Sequence, residues 1–600
     1  MKKILLFLFI FSQQFCDAQI AKYKKTTAMT PMRDGVKLFT VIYSPITASE
    51  TYPFMIERTP YGALESSKDT ADFSKAPGYK EMAAEGYIFV FQDIRGKYKS
   101  EGKMEMNKPM YHATDPKATD ESTDTYDAID WLIKNVPNNN GKAGIRGVSY
   151  DGWLSLVAAV DPHPALKAAS EQATPADMFL GDDFHHNGAF RLSYGFEYSY
   201  LFEHEKESSS FPFPQYDLYD WYLNLGSLKN VNERYFHNEL PTWNDFAQHP
   251  NYDNHWKRRS ALGYVPYPQT AMLHVGGYYD QEDMNGPQLM YRHMEKKDSF
   301  NRNFIILGPW NHGQWFSDKA DSLEKISFNE KTGDHFRELQ KKWFDFYLKG
   351  IGDGKFDEAN CFQTGSNIWK SYNTWPPKEA TIQKLYVAPN NKCSFNKSAS
   401  TGFVSYISDP AHPIPYRTPP IEATYGPGSR WYTWQVEDQR FVYSRPDVVS
   451  FTTDSLTEEF TVTGKVLAHL FASTSGTDAD WVVKLIDVYP AFDEPLSMSG
   501  YQLPIAMEVF RGRFRKSFEK PESLTPNKPE EFIIDLHDVN HVFKKGHKLM
   551  IQVQSTWFPV IDRNPQKYVP NIFEAEETDY IKAEQRIYYS TYLELPVMKK

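Results

Sequence analysis

Cysteine is scarce: three of 600 residues, with Cys16 inside an N-terminal apolar stretch, leave only Cys361 and Cys393 in the body of the chain. Two cysteines make neither a disulfide scaffold nor a structural zinc site, and whether they pair with each other is open from sequence. Apolar runs long enough to cross a bilayer are missing as well. The N-terminal run from Ile4 to Phe11 has eight residues, and no later run reaches eighteen. There is no excess of positive charge, since 77 acidic against 66 basic residues give a net charge of -11. That balance disfavours a nucleic-acid partner. No internal repeat is visible, which disfavours a solenoid or propeller. Metal-ligating H-x-x-x-H or H-E-x-x-H spacing is lacking. The adjacent His185 and His186 would point different ways on a regular element, bordering a pocket rather than binding a metal. G-x-x-x-x-G-K-[ST] is also lacking, so neither a metal nor a nucleotide cofactor is expected.

What is present begins with MKKILLFLFIFSQQFCDAQ. Two lysines, a short apolar run and Ala18 have the form of a secretory signal over residues 1–18, cleaved after Ala18. The expectation is an exported protein, periplasmic in a host with two membranes. A lipid anchor at Cys16 is the rival, weakened by Gln14 and Phe15 before it. Six hundred residues exceed one core, so several domains are expected.

Strands and helices alternate through KLFTVIYSP, YPFMIERTP, GYIFVFQDIRG, TDTYDAIDWLIKNV and NNNGKAGIRGVSY. That rhythm predicts an α/β layer with a mostly parallel sheet. The helix in TDTYDAIDWLIKNV has Thr123 or Asp124 near its start. Residues 178–265, rich in Tyr, Phe, His and Asn, break the rhythm and predict a mainly helical cap. Strands ending in polar residues resume with QTAMLHVGGYYD and RNFIILGPWNHG. Beyond residue 354, short period-two segments with Pro, Gly and Asp turns predict a β-sandwich of jelly-roll type. The expected organisation is therefore an α/β-hydrolase domain in two parts, 19–177 and 266–354, a cap over 178–265, and a jelly roll over 355–600.

GVSYDGW, residues 147–153, places Ser149 between a strand and a helix. The usual elbow is G-x-S-x-G, but here Asp151 stands where the second glycine is expected and Gly152 follows it. A serine nucleophile needs a base and an orienting acid, which arrive in the chain order Ser, Asp, His at strand ends. Asp280 in VGGYYDQED and His312 in GPWNHG meet that order, although Glu282 and Asp283 are close enough to leave the choice of acid open. The amide of Tyr150 is the expected first oxyanion donor, and the hydroxyl of Tyr61 in RTPYG a second. Tyr278, Tyr279, Trp310 and Trp315 are candidates to shape an acyl pocket.

Together RTPYG, FQDIRGKYKSEG, NGKAGIRGVSYDGW, GGYYDQED and PWNHG resemble the α-amino-acid ester hydrolase and acyltransferase group. That group is part of a serine-hydrolase family with cocaine esterase, glutaryl acylase and X-prolyl dipeptidyl-peptidase. The resemblance covers nearly the whole mature chain. It accounts for the shifted glycine, because the group carries G-x-S-Y-x-G. It implies Ser149, Asp280 and His312 as a catalytic triad, with Tyr61 and the Tyr150 amide as oxyanion hole. Three carboxylates that hold a substrate ammonium are also implied: Asp183, favoured by spacing over its neighbour Asp182, with Glu282 and Asp283. Unit charges 4 Å apart interact by about 4 kcal/mol at an effective dielectric near 20, so such a trio calls for a cation or a proton.

The resemblance implies small α-amino acyl esters as substrates, amines or water as acyl acceptors, no cofactor, and a homo-oligomer. Rival readings are an X-prolyl dipeptidyl-peptidase or other amidase, a general carboxylesterase, and a non-catalytic exported glycan-binding protein.

Overall fold

The computed structural model describes residues 22–46, 50–265 and 269–599, so the expected signal over 1–18 lies outside the described residues. The chain opens with strands β1 (Lys22–Pro31), β2 (Lys37–Pro45), β3 (Tyr52–Thr59) and β4 (Thr70–Asp72). Helix α1 (Lys80–Glu85), β5 (Ile88–Asp93), α2 (Glu121–Asn135), β6 (Asn139–Val148), α3 (Tyr150–Val157) and β7 (Leu166–Gln172) follow. An insertion then carries the two-residue strands β8 (His185–His186) and β9 (Ala189–Phe190). Its helices are α4 (Leu192–Glu203), α5 (Tyr219–Leu225), α6 (Pro241–Gln248) and α7 (Asn254–Lys257). The α/β layer resumes with β10 (Ala271–Gly277), α8 (Asn285–Glu295) and β11 (Asn303–Gly308). A small hairpin of β12 (Ser322–Leu323) and β13 (Ile326–Ser327) leads to α9 (Thr332–Lys349). β14 (Ala359–Gln363) and β15 (Ile368–Tyr372) come last.

These strands form an 11-stranded sheet in the order β15-β14-β11-β10-β7-β6-β3-β5-β2-β1-β4. Its centre, from β5 through β14, is parallel, and both flanks are antiparallel. Every residue of β5, β10 and β11 is buried, as expected of parallel strands covered on both faces. The sheet runs past residue 354, because β14 pairs with β11 and β15 with β14.

Helix α2 begins one turn earlier than the sequence suggests. Asp120 is its N-cap: it accepts from the Thr123 amide while the Thr123 hydroxyl accepts from the Asp120 amide. Asp124 is instead buried in a bidentate pair with Arg95, which fastens the loop after β5 to this helix.

The C-terminal part is a second 11-stranded sheet, antiparallel in every pairing but one among the described residues. Cys361 and Cys393 are both buried and free, one in β14 of the first sheet and the other in a strand of the second. The pairing left open by sequence is not made.

Glycine is a steric requirement at the turn from β6 to α3. A Cβ on Gly147 would lie 2.3 Å from the Asp151 carbonyl, and one on Gly152 would lie 2.5 Å from the Gln172 carbonyl and the Thr174 hydroxyl. Position 151 carries no such restriction, so aspartate fits there while glycine is needed one residue later. Gly152→Ala is expected to lower stability by about 1–3 kcal/mol through overpacking, read as a shift of the urea midpoint with unchanged slope.

Candidate active site

Ser149 stands at the tip of this turn with φ +64° and ψ −129°, a conformation that L-residues rarely adopt. Two backbone bonds hold it: its amide donates to the Gln172 carbonyl on β7 at 2.9 Å, and its carbonyl accepts from the Trp153 amide at 2.9 Å. Ser149 lies at the C-terminal end of β6 and is 8% exposed. Tyr150 follows as the first residue of α3, where amides have no partner within the helix. Its phenol turns away to accept from the Asn107 amide at 3.0 Å, leaving the backbone as its contribution.

Asp280 lies just past β10 and His312 just past β11. The imidazole Nδ1 is 3.0 Å from Asp280 Oδ1 and 3.1 Å from Oδ2. Asp280 Oδ1 also accepts from the amides of Glu282 at 2.8 Å and Asp283 at 3.0 Å, which locks the carboxylate in place. Of the three neighbouring acids, Asp280 is therefore the one facing Nδ1. The other nitrogen, Nε2, lies 3.4 Å from Glu282 Oε2, and among the described residues Ser149 and His312 make no hydrogen bond. Burial opposes charge on this ring, but Asp280, then Glu282 and Asp183, outweigh it and push its pKa up to about 9.

Asp182 and Asp183 divide cleanly. Asp182 spends both oxygens on backbone amides, those of Ala176 (2.9 Å), Asp177 (3.0 Å) and Gly286 (3.0 Å), and so fastens the insertion to α8. Asp183 faces the site, accepting from the Tyr194 hydroxyl at 2.8 Å, and the same hydroxyl lies 3.3 Å from Glu282 Oε2. Asp283 is completely buried and neither of its oxygens has a hydrogen-bond partner among the described residues. Burial and the Glu282 charge push Asp183 up to about 6, and burial with the Asp183 charge holds Asp283 well above the ordinary carboxylate range. Arg191 does not relieve the repulsion directly, because it donates to the carbonyls of Gln281 (2.7 Å) and Glu282 (3.3 Å). Opposite this wall, the Tyr61 hydroxyl sits 3.2 Å from that of Tyr198. Tyr61 is 37% exposed, but the crowding around its hydroxyl, followed by the Asp151 charge, holds its pKa well above that of a free phenol, so it stays neutral.

Residues 34–314 match the model of the X-Pro dipeptidyl-peptidase S15 family, and residues 353–590 match its C-terminal non-catalytic domain. A solved structure of α-amino acid ester hydrolase is 39% identical, with a TM-score of 0.92 over 97% of both chains. The chain belongs to the S15 family of serine hydrolases. An aminopeptidase from the marine sediment archaeon Thaumarchaeota archaeon is also 39% identical, with a TM-score of 0.93 over 98% of this chain and 99% of that one. Cocaine esterase from Rhodococcus sp. (strain MB1 Bresler) is 26% identical, spanning 90% of this chain and 92% of its own length.

Several residues of this S15 site escaped the sequence reading because they come from distant elements. Trp431, in a short 3-10 turn (Trp431–Val436) of the C-terminal part, donates its indole N–H to Glu282 Oε1 at 2.6 Å. Gln435 on the same turn donates to the Asp280 carbonyl at 3.0 Å, and Asn311 donates to the Tyr432 carbonyl at 2.8 Å. Tyr194 and Tyr198 of α4 stack at 5.1 Å, and Trp431 stacks on Tyr194 at 5.9 Å. Nothing local in sequence marks an indole or phenol as the partner of a carboxylate in another domain.

Other expectations are corrected. Trp310 and Trp315 do not line an acyl pocket: both are completely buried, bonded through their indoles to Thr332 and Gln172 and packed on Phe336. Tyr278 and Tyr279 likewise belong to the core shared with the C-terminal sheet. His185 and His186 turn away from the site. His185 packs among Phe179, Phe190 and Trp256, while His186 Nδ1 pairs with Glu508 at 2.9 Å. Elsewhere on the insertion, Asp245, His249 and His255 bring ligand-type atoms within 4.8 Å of one another. Arg259 already approaches His255 Nδ1 at 3.2 Å and Asp245 at 3.9 Å, a cation where a metal would have to enter.

Replacing Trp431 with Phe removes the indole N–H but keeps much of the ring. The kcat/KM for ester hydrolysis is expected to fall about tenfold, the scale of one hydrogen bond to a charged group. A pH effect on stability follows from His312. Its folded pKa is raised above the ordinary histidine value, so its contribution is complete below pH 6.5 and is lost as pH rises toward 9. Thermal melts of the ligand-free enzyme should show this loss between pH 6.5 and 9, and His312→Gln should flatten it.

Proposed function

We propose that this S15 hydrolase cleaves α-amino acyl esters through an aminoacyl-enzyme on Ser149 and passes the acyl group to water or an amine. The observation that carries the reading is the buried trio of Asp183, Glu282 and Asp283 beside His312, with Asp283 unpartnered. Buried carboxylates without cations are costly, and an α-ammonium both neutralises them and sets the adjacent acyl carbon near the serine.

In this mechanism the Ser149 hydroxyl gives its proton to His312 Nε2 while its oxygen bonds the acyl carbon. Asp280 holds the imidazolium through Nδ1. The oxyanion accepts from the Tyr150 amide and the Tyr61 hydroxyl, each donor worth about 3 kcal/mol in the transition state. Collapse breaks the ester C–O bond, and the alcohol leaves with the proton from His312. Water, deprotonated by the same ring, then releases the amino acid; an amine in its place gives an amide or dipeptide.

A second reading is an aminopeptidase or other amidase, including X-prolyl dipeptidyl-peptidase, favoured by the 39% identity to an archaeal aminopeptidase. It would use the same ammonium grip and differ in the leaving group, which must be protonated more fully as an amine than as an alcohol.

The test compares kcat/KM for alanine methyl ester and propionate methyl ester, in wild type and Asp183→Asn, with alanine p-nitroanilide as the amide probe. The expected result is a preference for the amino ester of at least about 100-fold, two charge-assisted contacts' worth, that falls at least about tenfold in Asp183→Asn. Equal activity on both esters, unchanged by the substitution, would leave a general carboxylesterase. An anilide hydrolysed as fast as the ester would favour the amidase.

A further inference from the structure

We propose that Glu282 occupies the working face of His312 while the site is empty, and that the substrate's α-ammonium releases it. The amine would then switch on the base as well as anchor the acyl group. This rests on the amino-ester reading above and deepens it.

The geometry is that of a ring held from both sides. Nδ1 is engaged by Asp280 at 3.0 Å, and Nε2, the atom that must take the serine proton, lies 3.4 Å from Glu282 Oε2. Glu282 is well supported there, because its other oxygen accepts from Trp431 at 2.6 Å and from Gln281 at 3.1 Å. Asp280, Glu282 and Asp183 act on the ring itself, and the charged and titratable groups around those carboxylates include Tyr61 and Tyr425 as well as groups from three elements. The loop after β10 supplies Asp280, Glu282 and Asp283; the insertion supplies Asp183, Tyr194 and Arg191; the C-terminal turn supplies Tyr432. Among the described residues, no lysine or arginine forms an ion pair with Asp183, Glu282 or Asp283. Arg191 acts on Asp183 only at longer range, so His312 is the cation in contact with the trio, an internal stand-in for the ammonium.

The charge balance follows. With its pKa pushed up to about 9, the ring carries protons on both nitrogens at neutral pH and has no lone pair to offer Ser149. An entering ammonium brings one positive charge to the same carboxylates. The Nε2 proton then leaves to water, the net charge of the site is conserved, and a neutral imidazole remains. A substrate without the amine would bind beside a base that is still protonated. Selectivity for the amine would therefore be expressed in kcat as well as in KM.

Two measurements test this. In wild type, the acid-side midpoint of the kcat–pH profile reports the ring in the substrate complex. It is expected to lie at least about one pH unit lower for alanine methyl ester than for propionate methyl ester. Coincident midpoints would overturn the proposal. The second is Glu282→Gln, which keeps an oxygen for Trp431 but removes the charge facing Nε2. At pH 7 it should raise kcat/KM for the propionate ester about tenfold, the effect of one pKa unit on the neutral fraction, while lowering it for the alanine ester. Equal losses on both esters with unchanged midpoints would reduce Glu282 to an ammonium ligand and overturn the switch, leaving the amino-ester reading intact. No preference for the amino ester in wild type would remove that reading and the switch with it.

Discussion

Like charges confined to a dry wall repel one another, and this site puts four carboxylates, Asp183, Asp280, Glu282 and Asp283, around one imidazole with each residue no more than 5% exposed. Burial limits screening by water, and Arg191, turned to main-chain carbonyls, acts on Asp183 only from a distance. What remains is to distribute the charge by hydrogen bonds. Asp280 takes two amides and the imidazole, Glu282 takes an indole and an amide side chain, and Asp183 takes a phenol. Asp283 takes none, so the remaining unfavourable energy is concentrated where a cation would relieve it.

That distribution requires both halves of the molecule. The α/β layer provides a strained turn for Ser149 and two strand ends for Asp280 and His312, the crevice that open parallel sheets present at their C-terminal edge. The insertion brings Asp183 on a loop fastened through Asp182 to the start of α8. The C-terminal part then closes the wall with the turn carrying Trp431 and Gln435, both of which donate to the loop after β10. In this chain, the domain matched by a model named non-catalytic supports the acidic wall directly.

Sequence made the α/β layer legible because parallel strands buried on both faces leave continuous apolar runs, as in GYIFVFQD and RNFIILG. It made Ser149, Asp280 and His312 legible because each directly follows such a run. Of the two residues read near the start of α2, Thr123 takes part in the cap with Asp120, while Asp124 is claimed by Arg95, a tertiary pair with no local signature. Trp310 and Trp315 were misread for a related reason: aromatics flanking a histidine suggest a pocket, whereas these two face the opposite way, into the core under α9. Trp431 and Tyr194 were missed because their importance lies in a partner far away in the chain.

Charge on the wall also separates the chemistries available to one fold. A distal substrate carboxylate, as in a glutaryl side chain, would meet Asp183, Glu282 and Asp283 and be repelled by about 4 kcal/mol per close contact at an effective dielectric near 20. A neutral acyl group would gain no attraction and leave the trio unrelieved. An α-ammonium alone turns the unfavourable wall into binding energy, and it does so whether the bond to be broken is an ester or an amide. In the proposed reading, selection for the amine and selection for the leaving group are therefore separate problems: the acidic wall would govern the first, and the proton that His312 can deliver the second.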